Sequence, residues 1–429
     1  MKKLLFVAIL SLAVLLGVTS CNTPSNEPLD TTQSETNGNK NPSSIKTEAP
    51  ATSSVPETKT EPEEENPWPE DTSKFSFFQK FDAPTGNPRE IVMDYMMKMA
   101  EIKWKPAEDF TICWEGTPSF DPNMSLMFFD NKTYRGTTYG NTHCSLELFT
   151  HFLDENNVLK MDNYSYEKIV GNNCSTTMTL AYQQIIDLPI SVLKPISSRI
   201  GLLKLAGDLK IPEGLGDNWY SNEVFSTNGR DAVYQAYTTL DSGDILYKSI
   251  PGTGHTRMVR KVEVSKSAAG TIMPTRSFVY CVESTNAWED STQTSLWFID
   301  RKYSFSDLFD TSFMPVTLEI FHEDNPSYKD AYIAYDGTPK ADNILKGMIP
   351  GVISSNFPLN YVMLTVKDTN GNVVLRELKA GMTTNYTYDL RKTYLKTSTL
   401  ANGDYTLTIR AGIARGGADV CTVDFSVNK

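Results

Sequence analysis

Apolar residues recur at helical spacing in three places along the chain. In PREIVMDYMMKMAEIKW they fall at Ile91, Val92, Tyr95, Met96, Met99 and Ile102, a spacing that predicts an amphipathic helix. Asn87 before Pro88 supplies its start, since Pro is pre-set for the first turn. The methionines read as core filler. SLELFTHFLDEN, from Ser145, predicts a second helix with Leu146, Leu148, Phe149 and Phe152 on or near one face. A third starts at Cys174 and runs through Met178, Leu180, Ala181, Ile185 and Ile186 to the break at Leu188-Pro189.

Past a Gly- and Asp-rich region (GLGDNWY, STNGRDA) the period changes to two. GDILYK, HTRMVRKVEVS, SFVYCVES and TSLWFID alternate apolar and polar residues or form short apolar runs bounded by turns, which predicts strands. Helices followed by an antiparallel sheet make an α+β domain. From about Thr311 the pattern is strand only: PVTLEIF, DAYIAYDG, YVMLTVKD, VVLRELK, TYDL, YTLTIRA and VCTVDFSV. The turns DTNGN and LANGD carry the Asn-Gly signature of tight hairpins. This segment predicts an all-β sandwich of immunoglobulin-like rhythm with no catalytic constellation of its own. No internal repeat is visible.

The first residues set the compartment. MKKLLFVAILSLAVLLGVTSC has two lysines, an apolar run from Leu4 to Leu16, and small residues before Cys21. The run is short for a membrane span and reads as a secretory signal. Val18-Thr19-Ser20-Cys21 resembles the bacterial lipoprotein box, which implies lipidation of Cys21 and a membrane-held protein outside the cytoplasm. From Asn22 to about Asp71 the chain is Pro, Ser, Thr, Asn and Glu, with no aromatic before Trp68. That composition predicts a disordered tether. The expected organisation is therefore 1–21 signal and lipid site, 22–72 tether, 73–310 α+β domain and 311–429 sandwich.

Charge and cysteines narrow the chemistry. The 429 residues carry a formal charge of −12, which argues against nucleic acid as a partner. With Cys21 assigned to lipid, five of the six cysteines remain: Cys113, Cys144, Cys174, Cys281 and Cys421. An odd number in an exported chain leaves at least one thiol unpaired or reactive. No CxxC is present and the four histidines (His143, His151, His255, His322) are scattered, so neither a metal site nor any other cofactor is expected.

Cys174, in GNNCSTTMTLAYQQI, is the candidate nucleophile. At a helix start, unpaired N–H groups and the helix dipole favour a thiolate. A base is also required, and a third group to orient it. His255 follows the strand GDILYK and a Gly-rich turn and opens the next strand; Glu283 lies on the strand after that. A cysteine at a helix start, then Gly243-Asp244-Ile245, then Gly254-His255-Thr256, then a polar residue on a third strand, resembles the NlpC-type branch of the papain-like cysteine peptidases. These bacterial enzymes cut peptidoglycan peptides. Asn173-Cys174-Ser175-Thr176-Thr177 stands where that family often has Asp-Cys-Ser-Gly-Phe. The resemblance covers roughly Phe75 to Asp310, with KPISSRIGLLKLAGDLKIPEGLGDNW as a helical insertion between Cys174 and His255.

What the resemblance implies is a papain-like fold, N-terminal helices on an antiparallel sheet, with a Cys174-His255-Glu283 triad. His255 would take the proton of Cys174 and return it to the leaving amine, and Glu283 would orient the imidazole. Tyr139, Tyr134, Ser175 and Asp244 would line the substrate site. The implied substrate is a peptidoglycan stem peptide, and the implied state is a monomer. Two other classes are open: an inactive relative that binds wall fragments, and a solute-binding lipoprotein. The latter normally shows two similar α/β lobes, which this order of elements lacks.

Overall fold

The computed structural model describes residues 68–113, 125–189, 193–382 and 385–429. The expected signal peptide, the Cys21 lipid site and residues 22–67 of the expected tether lie outside the described residues. The last residues assigned to the tether do not float. Trp68 packs edge-on against Phe78 at 5.6 Å and Tyr332 at 5.5 Å.

The three periodic segments each contain a helix, the second and third shorter than expected: they end at His151 and Tyr182, before residues 153–156 and 185–188. Pro88–Glu101 is capped by the Asn87 side chain, which accepts from the N–H groups of Arg89 and Glu90. Leu146–His151 is capped by Ser145 and Cys174–Tyr182 by Asn173. These caps satisfy backbone donors that have no partner inside the helix. The expected helical insertion is different. Its residues form a 3-10 turn, Ser197–Arg199, and a short strand, Leu203–Leu205. The helices follow it, at Ser221–Asn228 and Arg230–Tyr237, in the stretch read as Gly- and Asp-rich loop.

The expected α+β architecture, a papain-like helix-on-sheet domain followed by an immunoglobulin-like sandwich, is overturned. Strands in five sheets dominate the described residues, and helices are interleaved with them from the beginning. The segment expected to hold only helices also contains Phe77–Phe81, Lys103–Pro106, Phe110–Cys113, Ser125–Phe128, Tyr134–Arg135 and Val158–Leu159. Strands of two to five residues carry too few positions for a periodic pattern to stand out in the sequence, and the partner of Phe77–Phe81 lies far along the chain at Ala331–Tyr335.

The largest sheet has six antiparallel strands in the order Trp297–Ser304, Phe278–Ser284, Thr253–Glu263, Ile245–Ile250, Met314–Leu318, Leu203–Leu205. Two four-stranded sheets share a second apolar core. One runs Phe77–Phe81, Ala331–Tyr335, Val352–Ser354, Thr387–Asp389; the other runs Val373–Ala380, Leu359–Asp368, Gly403–Ile413, Gly416–Val427. The expected division at 310/311 does not follow these pairings. Met314–Leu318 sits inside the six-stranded sheet, while Phe77–Phe81 pairs with Ala331–Tyr335. A third core around Trp104, Phe128 and Phe149 takes in Tyr361 and Met363 from the sandwich, so the two halves share buried surface.

Candidate functional site

The loop into the Cys174 helix is built by side-by-side main chains. Thr138 bridges Gly171, and a Cβ on Gly171 would lie 2.5 Å from Thr138 Oγ1, so only glycine permits this approach. Asn172 Nδ2 donates to the Cys144 carbonyl at 2.7 Å. The Asn173 Oδ1 cap then accepts from Thr176 N, Thr176 Oγ1 and Ser175 Oγ, at 3.0, 2.9 and 3.0 Å. The helix start is thus firmly fixed. The thiol it presents is not open to solvent: Cys174 is 1% exposed.

His255 and Glu283 do meet. The imidazole Nε2 lies 2.5 Å from Glu283 Oε2, and Arg257 Nε donates to the same oxygen at 3.0 Å. Tyr303 Oη and, at 3.4 Å, Arg301 Nη1 donate to Oε1. The Arg257 guanidinium lies between the rings of Tyr303 and Phe313, at 3.7 and 3.8 Å. Burial alone would raise the Glu283 carboxyl, but Arg257, His255 and Tyr303 overcome it and hold it well below the usual carboxylate range. For His255, burial is the largest influence and pushes the imidazole down, with Arg257 and Arg301 acting the same way against Glu283. The pair is therefore a carboxylate and a neutral imidazole that donates Nε2–H.

Strand parity puts His255 and Tyr247, the residue that feels the Cys174 thiol, on opposite faces of the sheet. Lys248 stands opposite His255 and Tyr247 opposite Thr256; opposite residues share a face, and neighbours along a strand point to opposite faces. Lys248 Nζ is 5.8 Å and the His255 ring 6.2 Å from the Phe313 ring, which puts Lys248, His255 and Arg257 on the Phe313 face. Tyr247 is on the other face, and there it feels Cys174: burial chiefly, with a smaller push from the nearby thiol, moves its phenol up to about 12. Of the expected Cys174-His255-Glu283 triad, His255 and Glu283 meet, while the Cys174 thiol is buried and is felt by Tyr247 on the other face of the strand pair. Thr256, not His255, shares the face of Tyr247. Arg257, two positions on, joins His255 on Glu283, a contact for which the sequence carried no signal.

The expected substrate-lining residues are mostly structural. Asp244 is 1% exposed and accepts from Arg89 Nη1 at 2.9 Å, Thr317 Oγ1 at 2.6 Å and the Asp241 N–H at 2.8 Å. It ties the first helix to the six-stranded sheet and has no oxygen to spare for a substrate. Tyr134 is buried against Trp104, Phe128 and Trp288, and its hydroxyl accepts from Phe129 N at 2.7 Å. Tyr139 is buried and stacked near Tyr166 at 6.0 Å. Ser175, half-buried, spends its hydroxyl on Asn173.

A cleft of about 300 Å³ lies elsewhere, between the 141–168 segment and the strand Val373–Ala380. Its lining carries Asp162, Glu167, Lys168, Arg376, Glu377 and Lys379 together with the apolar Phe152 and Leu378. Beside it His143 adopts φ 50°, is 3% exposed, and has no hydrogen-bond partner for Nδ1 among the described residues. Burial pushes its imidazole down to about 4. Arg376 and His143 had no signal in the sequence, because neither lies in a motif and the cleft forms only where two distant segments meet. Among the described residues, no group of three or more His, Cys, Asp or Glu is placed to hold a metal. No described helix is long and apolar enough to cross a membrane.

No protein-family model matches the chain and no curated protein does, so the NlpC-type resemblance gains no support from either. Among solved structures, the chain is similar to a crystal structure of a tetra-tandem repeat in the extending region of a large adhesion protein, at 16% identity and a TM-score of 0.16. The match covers 43% of this chain and 40% of that one.

Proposed function

We propose that this chain is an exported protein, held to the membrane through lipidated Cys21, that binds peptidoglycan fragments without cutting them. The observation that carries the reading is the parity of the Thr253–Glu263 strand. A cysteine hydrolase needs sulfur and imidazole within hydrogen-bond reach, and here the imidazole lies on the strand face away from Tyr247, the residue that feels the Cys174 thiol. What supports binding is the cleft on the 141–168 segment, whose charges of both signs and apolar lining suit a zwitterionic peptide. Attachment to the membrane rests on Val18-Thr19-Ser20-Cys21 and the segment that follows.

The test is to incubate the purified protein with isolated cell wall and follow both sedimentation with the wall and new amino groups. The expected result is co-sedimentation without amine release, unchanged in Cys174→Ala. Amine release that disappears in Cys174→Ala would overturn the reading in favour of a hydrolase. Cys21→Ala should move the protein from the membrane to the soluble fraction.

A further inference from the structure

We infer that the cleft beside Val373–Ala380 takes a short peptide by its free carboxylate, with Arg376 as the anchor; this rests on the binding reading above. Three observations converge on it. First, Arg376 is under-used. Its Nε is buried with no hydrogen-bond partner among the described residues, and its ion partner is Asp162 at 3.5 Å, a carboxylate whose side chain is 75% exposed. The guanidinium is held over the Phe152 ring at 4.7 Å, which fixes its plane at the cleft wall. Burial also holds it below its ordinary value, so a closer anion would relieve it. A ligand carboxylate making a two-point contact would displace the long, solvated Asp162 contact.

Second, Val373–Ala380 is the outermost strand of its sheet, paired with Leu359–Asp368 on one side. An edge strand offers N–H and C=O groups to an added extended chain. The protein already uses this edge once, where the Gly381 N–H donates to the Thr142 carbonyl at 3.0 Å. Third, Glu377 and Lys379 put charges of both signs on one face of this strand, and Leu378 lies with Arg376 on the other, so the cleft lining mixes both signs with apolar surface. That combination accepts a peptide with both an ammonium and a carboxylate, and gives no advantage to a uniformly charged polymer.

The experiment is calorimetric titration of the purified full chain with the tripeptide Ala-Leu-Ala as free acid and as C-terminal amide. The acid is expected to bind about tenfold more tightly than the amide, the scale of one charge-assisted contact. Arg376→Gln should bring the two to equal affinity. Asp162→Asn, which removes the competing carboxylate, should tighten the acid more than the amide. Equal binding of acid and amide by the native protein, or acid binding unaffected by either substitution, overturns the inference while leaving the binding reading standing. Wall fragments that bind when neither tripeptide does also overturn it. Absence of binding by tripeptides and wall fragments alike removes both.

Discussion

Glu283 is the residue on which the most charge converges. Three cationic or potentially cationic side chains and a phenol address one buried carboxylate. Glu283→Gln would leave Arg257 buried without its counter-charge, a situation that typically costs about 3–5 kcal/mol. The expected outcome is a large fall in the urea midpoint of unfolding, and a midpoint within a few tenths molar of the native one would contradict the network. The buried histidines act on the upper part of the acid limb of stability. His255 and His143 are both held below the ordinary imidazole value when folded, so the unfolded chain takes up protons first as pH falls. Their contribution is complete above about pH 6.5 and is lost on acidification. For His143, with a folded value of about 4, the loss amounts to about 3 kcal/mol between those limits. Urea unfolding at stepped pH should show this slope, and His143→Asn, which tolerates the left-handed backbone there, should flatten it. Parallel slopes in the two proteins would exclude His143 as a source.

At the scale of elements, the Cys174 helix and the His255 strand teach different things. The helix start is specified locally: one Asn173 oxygen accepts from three donors within the next three residues. Asn173→Ala should destabilise the protein by about 1 kcal/mol, read from chemical denaturation, and a neutral effect would mean that neighbouring main chains alone hold the turn. The thiol is another matter. Cys113 is exposed whereas Cys144, Cys174 and Cys281 are buried, so iodoacetamide followed by mass spectrometry should label Cys113 first and Cys174 only as the protein unfolds. Rapid labelling of Cys174 in the native state would revive a catalytic role. On the strand, a shift of one residue reverses every side chain. A glycine-histidine pair at a strand opening fixes the element without fixing which face the ring takes.

For the whole molecule, the decisive feature is that the chain closes on itself. Phe77–Phe81 completes a sheet whose next strand is Ala331–Tyr335, and Met314–Leu318 completes the six-stranded sheet. Glu147 reaches across to Arg410 at 2.6 Å and Tyr361 at 2.7 Å, adding charge-assisted contacts between the two halves. A fragment of residues 311–429 would lack an outer strand and carry an orphaned one. It is expected to unfold without a cooperative transition, whereas adding back residues 68–310 on the same chain restores one. A sharp two-state melt of the isolated fragment would show that the sandwich stands alone.

How much of this was legible follows from range. The helix start at Asn87-Pro88, the long alternating strands and the Asn-Gly turn at Asp368 depend on residues within a few positions of one another, and the sequence by itself determined them. The pairing of His255 with Glu283 was within reach because consecutive antiparallel strands bring neighbours together. Which face that pair occupies, where the strand Phe77–Phe81 goes, and the cleft that sets Arg376 against Asp162 were decided only by the tertiary structure. Those features depend on register and on contacts between distant segments, and a periodic pattern carries no information about either.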